Sequence, residues 1–337
     1  MRPEKKKTFL LCIFLILLLI VVLFLVLAIG KTLMAVPAGQ GGVSVELELQ
    51  EGMALQEAKS ILEAQGVRYT VVPTSSRMAN TVERIEHTGT VENGKIILDS
   101  DSEVKFHANE VGKDKVVYLT FDDGPKINYT YSMEIYHTTG KLLDVLDQYG
   151  IKATFFIVGY QMIKSDRSVY VTDMLNRGHI LASHTSTHEL SEIYSSSSNF
   201  IADVEQFENE LKDIIGAEKY NSLGKYIRFP GGSSTNGYLT KSEAEEYISA
   251  IRNKGYKVYD WTALTGDAEG KTTASEFIEY MDEGLEKSKK SGSPLIVLMH
   301  DTDDTTQALG QIIEHLIDQG YYFGTINSCP EYTFVED

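Results

Sequence analysis

Between Lys115 and the C-terminus, apolar runs of strand length alternate with amphipathic runs of helix length, and no other property of the chain narrows its fold as much. The strand-type runs are Val116–Phe121, Ala153–Val158, His179–Ser183, Tyr226–Phe229, Lys257–Thr262, Leu295–Met299 and Tyr321–Ile326. The helical runs between them include Lys141–Tyr149, Val169–Arg177, Asp203–Ile215, Lys241–Lys254, Ser275–Lys289 and Thr305–Gln319. Strands separated by helices cannot pair through tight hairpins, so they lie parallel with the helices packed outside. Seven or eight such units predict an α/β fold over 115–337 and favour a closed (β/α) barrel whose chemistry sits at the C-terminal ends of its strands. The polar residues fall where that rule requires. Asp122 and Asp123 follow the first strand, His184 and His188 the third, Arg228 lies at the C-terminal end of the fourth, one residue before its last, Asp267 lies beyond the fifth and His300 follows the sixth.

The front of the chain is of another kind. Phe9 to Gly30 reads FLLCIFLILLLIVVLFLVLAIG, without a charge or a proline. A bilayer-spanning helix needs roughly 20 apolar residues, whereas the apolar core of a cleaved secretory signal is only about 7–15. The length therefore favours an uncleaved transmembrane helix over 9–30, although Met34–Ala38 offers a place for processing. Arg2, Lys5, Lys6 and Lys7 keep residues 1–8 cytoplasmic by the positive-inside rule and put the rest outside the membrane. Residues 31–42, ending Pro37-Ala-Gly-Gln-Gly-Gly42, read as a flexible linker. With 31 Lys and Arg against 48 Asp and Glu, the net charge of -17 excludes a nucleic-acid partner, which needs clustered bases. Two cysteines, Cys12 and Cys329, make no disulfide framework.

Residues 43–112 predict a small α+β module. Val43–Leu49 alternates apolar and polar residues as a strand does, a short helix carries Leu55, Ala58, Ile61 and Leu62 on one face, and Gly66 ends it. Further strands are expected at Val67–Val72, Thr81–Glu86, Lys95–Leu98 and Glu103–Phe106, with Asn93-Gly94 as a turn. The helix from Gly52 to Gly66 resembles that of PASTA modules, without the prolines usual in their second half. That resemblance implies contact with peptidoglycan. A stalk that spaces the catalytic region from the membrane accounts for the module equally well.

Each polar cluster has an ordinary explanation when taken alone. Asp122-Asp123-Gly124-Pro125 makes a turn after a strand, and His184-Thr-Ser-Thr-His188 lacks the Glu of the zinc-protease helix. Arg228 before Phe229-Pro230-Gly231-Gly232 suits a salt bridge at a turn, and His300 suits a packed core histidine. Together, at one end of one predicted barrel, the clusters resemble the polysaccharide deacetylases with a NodB-type domain, carbohydrate esterase family four, which implies a distorted (β/α) barrel of seven or eight strands. The order Thr120–Pro125, His184–His188, Arg228–Gly232, Trp261–Asp267 and Leu298–His300 carries the resemblance, with Lys152–Phe156 beside it.

The resemblance implies that Asp123, His184 and His188 bind one divalent metal ion, zinc first, with cobalt, manganese or nickel as alternatives. It implies Asp122 as general base, His300 as general acid, Arg228 orienting Asp122, and Asp267 paired with His300. It further assigns the backbone N–H of Gly231 to the oxyanion, and Trp261 and Leu298 to the wall around the acetyl methyl. Two departures stand out: Gly231 where the family commonly has an aromatic residue, and Ala268 where it commonly has Trp. The expected function is metal-dependent deacetylation of N-acetylglucosamine in peptidoglycan, in a Gram-positive type envelope. N-acetylmuramic acid, chitin-like polymers, acetylated xylan, or a non-catalytic wall-binding scaffold are the alternatives. No obligate protein partner is evident. Asp301, Asp303 and Asp304 read as acids opening a helix, and Asn128-Tyr129-Thr130 as a chance glycosylation sequon.

Overall fold

The computed structural model describes residues 44–99, 102–129, 135–234 and 237–335. The apolar run Phe9–Gly30 and the linker lie outside the described residues, as does Thr130 of the sequon. Among the described residues no helix is long and apolar enough to cross a membrane. Val45–Asp337 forms one compact unit.

The first part of that unit carries β1 (Val45–Leu47), α1 (Leu55–Ala64), β2 (Arg68–Val72), β3 (Arg84–His87), β4 (Thr90–Glu92), β5 (Lys95–Leu98) and β6 (Glu103–His107). They form two three-stranded sheets, β1-β5-β4 and β2-β6-β3. The turn at Asn93-Gly94 joins β4 to β5 with both residues at positive φ, 51° and 78°, which these two residue types tolerate best. Leu47, Leu55, Ala58, Leu62, Val82, Leu98, Val104 and Phe106 make a separate small core.

The second part begins with β7 (Val116–Asp122), a two-residue hairpin of β8 (Asn128–Tyr129) and β9 (Ile135–Tyr136), α2 (Thr138–Gln148), β10 (Thr154–Ile157), α3 (Gly159–Met162) and α4 (Ser168–Asn176). It continues through β11 (Ile180–Ser183), α5 (Leu190–Ile193), α6 (Ser197–Ile215), α7 (Ala217–Asn221), β12 (Tyr226–Ile227), α8 (Lys241–Arg252) and β13 (Lys257–Val258). The last elements are β14 (Ala263–Leu264), α9 (Ala274–Ser291), β15 (Leu295–His300), α10 (Asp303–Asp318) and β16 (Tyr322–Gly324). Helix starts are written locally: Thr240 with Glu243 and Thr273 with Glu276 form capping boxes, each satisfying two N–H groups the helix cannot.

All strands of the large sheet are parallel, in the order β13-β12-β11-β10-β7-β15-β14, with β16 beside the N-terminal half of β7. Side chains alternate across β7. Val117, Leu119 and Phe121 face the helices with Leu142, Phe277 and Leu309, while Val116 and Tyr118 face the concave side with Phe156, Ala182, Tyr259 and Ile296. The sheet curls into a half-barrel rather than closing. Of the expected strand Lys257–Thr262 only Lys257–Val258 pairs, as β13 at one edge of the sheet, and β14 begins just after it, at Ala263, on the opposite edge. The physical reason lies in the intervening residues. Asp260 N donates to Tyr332 O at 2.9 Å, and the Asp260 carboxylate accepts from Phe334 N at 2.8 Å, so the C-terminal segment fills the seam in place of strand pairing.

The small module is fastened to the N-terminal end of this sheet. Arg77–Ala79 runs beside β16, with Phe323 N donating to Arg77 O at 2.8 Å and Ala79 N donating to Phe323 O at 2.7 Å. Met78 is buried in the core beneath the helices, among Val117, Leu146 and Phe323. The C-terminal strand ends lie opposite.

Candidate active site

The parallel register sets His300 beside Asp122 on neighbouring strands β15 and β7. Everything else at the site is arranged around that pair. Asp123, one residue past β7, turns at φ 70°. Its Oδ1 lies 3.7 Å from His184 Nε2 and 3.5 Å from His188 Nε2. One ligand atom from each of the three residues falls within 4.8 Å of the other two.

The protonation of this group suits a cation. His184 Nδ1–H donates to the Arg228 carbonyl at 3.0 Å, because a carbonyl can only accept, and the Nε2 lone pair therefore faces Asp123. Burial lowers the pKa of the His184 ring, which favours the neutral form that ligates metals. Burial alone would raise the Asp123 carboxyl. Positive charge nearby, Lys126 with its Nζ 3.8 Å away and His300 among it, outweighs burial and lowers the pKa, which keeps the group ionised. One carboxylate and two neutral imidazoles fit a divalent ion such as zinc and leave coordination positions open.

Asp122 is as near His184 as Asp123 is, with Oδ2 3.7 Å from Nε2. What separates the two acids is Arg228, whose Nη1 donates to Asp122 Oδ1 at 2.7 Å. Arg228 is fully buried. Nη1 also donates to Thr120 Oγ1 at 2.8 Å, Nε to Tyr259 O at 3.0 Å and Nη2 to Asp260 O at 3.2 Å. Its guanidinium lies 4.1 Å from the centre of the Phe156 ring. Oriented on every side, this arginine fixes the Asp122 carboxylate against the ligand cluster.

Across the site, His300 Nδ1–H donates to Asp267 Oδ1 at 2.9 Å, and His300 N donates to Asp267 Oδ2 at 2.6 Å. Thr305 Oγ1 donates to the same oxygen at 2.8 Å. Burial would lower the His300 ring, but the hydrogen bond to Asp267 and the charges of Asp122, Asp267 and Asp123 overcome it and raise the pKa. With Nδ1 committed to Asp267, Nε2 is the nitrogen that serves a substrate.

The remaining residues named from the sequence are spread around this group. Leu298 is buried on β15 in register with Thr120, two positions before His300. Gly231 sits at φ 75° in the turn after β12. Trp261 lies at the seam, edge-on to Phe334 at 4.9 Å and 5.7 Å from the Arg228 guanidinium, behind the arginine that holds Asp122. Ala268 is exposed beside Asp267.

One expectation needs correcting. Asp303 and Asp304 open α10, but Asp301 does not belong to the helix. It is buried behind the Asp122–Gly124 turn, where its N donates to Asp122 O at 3.0 Å and Thr139 Oγ1 donates to its carboxylate at 2.5 Å. Burial pushes its carboxyl up to about 6. A Cβ at Gly124 would lie 2.6 Å from Asp301 Oδ2, which explains the glycine there.

Sequence reasoning passed over Thr120, Thr305 and Asp260. Asp260 is buried, with Ser233 Oγ donating in a short bond and Ser233 N donating at 2.9 Å, which ties the 229–233 turn to the C-terminal segment. An acid within the apolar run Lys257–Thr262 was the available signal.

Residues 109–257 match the family described as polysaccharide deacetylase. The protein named "Putative polysaccharide deacetylase YheN" of Bacillus subtilis (strain 168) is 32% identical over 63% of this chain and 67% of its own. A peptidoglycan-N-acetylglucosamine deacetylase of Bacillus cereus is 30% identical over 65% of this chain and 90% of its own. Among solved structures, the catalytic domain of peptidoglycan N-acetylglucosamine deacetylase from Eubacterium rectale superposes with a TM-score of 0.54 at 31% identity, covering 65% of this chain and 92% of that one.

Proposed function

Because the chain belongs to the polysaccharide deacetylase family, a group of hydrolases that cleave the amide bonds of N-acetylated polysaccharides, we propose that it removes acetyl groups from the N-acetylglucosamine of peptidoglycan. One observation carries the chemistry: Asp122 and His300 stand on adjacent strands, each anchored by its own partner, beside a three-residue ligand cluster. In this reading Asp123, His184 and His188 hold one divalent ion, zinc before cobalt, manganese or nickel. That ion supplies Lewis-acid polarisation of the acetamide carbonyl and acidifies the attacking water.

The protein's own groups handle the protons. Asp122 takes the proton that the attacking water loses, its carboxylate held in place by Arg228. As the C–N bond breaks, His300 Nε2–H protonates the departing nitrogen, because an unprotonated amide nitrogen is a prohibitive leaving group. Asp267 keeps His300 oriented and charged for that step. The products are acetate and a free amino sugar. Leu298, buried on the concave face before His300, supplies apolar surface for the acetyl methyl.

We further place the active body outside a Gram-positive type membrane, anchored by Phe9–Gly30, with the module at 43–112 as its spacer. The basic residues before the apolar run support the orientation. The module's attachment at the end of the sheet opposite the site leaves the catalytic face unobstructed.

Acetate release from purified peptidoglycan tests the reading. Release is expected to stop with a chelator and to return when zinc is added. Mass spectrometry of the digested wall should place the loss on N-acetylglucosamine. Loss from N-acetylmuramic acid, or release only from chitin-like oligomers or acetylated xylan, would change the substrate, and no release from any of them would leave a wall-binding scaffold.

The pH profile separates the two proton carriers. His300 must be protonated to act, so activity falls as pH rises through its raised pKa. Asp267→Asn removes the charge that raises it and leaves at most a weaker, neutral acceptor for Nδ1–H. The alkaline limb of kcat/KM in that variant is expected at lower pH than in the wild type. An unmoved alkaline limb would take the acid role away from His300.

A further inference from the structure

The two histidines of the ligand cluster are held in different ways. His184 is fixed through its own ring, by the bond from Nδ1 to Arg228 O. Among the described residues, the ring of His188 makes no comparable hydrogen bond, and its polar neighbour is Asp123 itself. Its position is set by the backbone of Thr185–Thr187, and that backbone is strained. Thr185 and His188 both adopt left-handed conformations, φ 68° and 58°. For residues other than glycine such conformations are unfavourable and persist only where the surroundings enforce them.

Helix α6 does the enforcing. Asp203, nearly buried, accepts Ser186 N at 2.5 Å and Thr187 N at 3.2 Å on Oδ1, and Thr187 Oγ1 at 2.6 Å on Oδ2. Two helical turns on, Glu210 Oε2 accepts Ser186 Oγ at 2.8 Å. The start of α3 adds two more bonds, Gly159 N donating to Thr185 O at 3.0 Å and Tyr160 N to Ser186 O at 2.9 Å. The approach is too close for any larger residue at 159, since a Cβ there would lie 2.8 Å from Ser186 Cα.

We infer that Asp203 is a positioning residue for His188, and that through the Ser186–Thr187 backbone it sets how tightly the Asp123–His184–His188 cluster holds its divalent ion. The inference rests on the metal reading above. Metal-ligating histidines usually owe their orientation to a hydrogen bond on the ring. Here the carboxylate of a neighbouring helix acts one step back, on the main chain.

The test titrates the full chain with zinc alone against a chelating indicator, and with cobalt to read its visible spectrum. Loss of an outer partner of this kind typically weakens metal binding about 10–100-fold. Asp203→Ala is expected to lose affinity within that range and to alter the cobalt spectrum. Asp203→Asn, which keeps an acceptor for Ser186 N and Thr187 N, is expected to bind nearly as the wild type does. Because Asp203 reaches no reacting atom, saturating zinc should restore most of the kcat lost in Asp203→Ala.

Should Asp203→Ala not fold, Thr187→Ala decides, since it removes one bond to Asp203 and keeps the backbone ones, and a several-fold weaker affinity is expected. Wild-type affinity in a folded Asp203→Ala, or in Thr187→Ala, would overturn the inference. So would a kcat that excess zinc does not recover. A wild-type chain that binds neither metal would instead overturn the metal reading itself.

Discussion

Asp122→Asn is expected to lower kcat by about 10²–10⁴-fold, the usual worth of a positioned general base, while zinc affinity stays at the wild-type level. The substitution is nearly isosteric. An amide oxygen still faces Arg228 Nη1, which reaches Asp122 Oδ1 at 2.7 Å, so the local packing is preserved. The amide cannot take a proton from water. Steady-state acetate release gives the rate, and zinc competition gives the affinity. The second measurement matters because distance alone does not separate the acids: Asp122 and Asp123 each place an oxygen 3.7 Å from His184 Nε2. Lost zinc affinity in Asp122→Asn would make Asp122 a ligand and leave the base to be found elsewhere.

Arg228→Met should do more damage to the fold than any other single change at the site. Both partners of the Arg228–Asp122 pair are almost wholly buried. Removing the cation leaves an uncompensated carboxylate inside the sheet, which costs about 3–5 kcal/mol. It also withdraws the donors facing Thr120, Tyr259 O and Asp260 O. For a unit of this size each kcal/mol corresponds to roughly 2–4 °C, so a fall in Tm on the order of 10 °C is expected. Arg228→Lys should recover little, since one ammonium cannot reach four acceptors in a planar fork.

The double variant Asp122→Asn with Arg228→Met isolates the charge effect, because it removes the buried anion as well as its partner. Its Tm should lie above that of Arg228→Met alone. A single variant that melts as the wild type does would mean the pair contributes nothing to the folded state.

The ligand and proton-transfer candidates were legible in the sequence for a simple reason. Asp122, Asp123, His184, Arg228 and His300 all sit at or just past the ends of apolar runs, and parallel strands direct such ends to one face. The C-terminal segment was less legible. Lys257–Thr262 reads as one strand interrupted only by the acid at Asp260, and that acid does not announce that Tyr332 and Phe334 will capture it and divide the pairing after Val258. That division carries Asp267 to the edge strand beside β15, within reach of His300. Asp301 likewise looks like a helix-opening acid beside Asp303, yet it is buried behind Gly124 by contacts from Thr139.

By itself the sequence determined the parallel α/β architecture, the family resemblance and the residue types at the site, because periodicity and strand-end position are local properties of the chain. Only the tertiary structure decided that the sheet stays a half-barrel with a filled seam, that Met78 of the small module lies within the larger core, and that Trp261 stands behind Arg228. It also decided how each reactive group is held: Asp122 by Arg228, His300 by Asp267, and the His184–His188 loop by Asp203. These are pairings between distant parts of the chain. Which of its many acids meets which base is set by how the helices and strands pack, and spacing along the sequence carries no record of that.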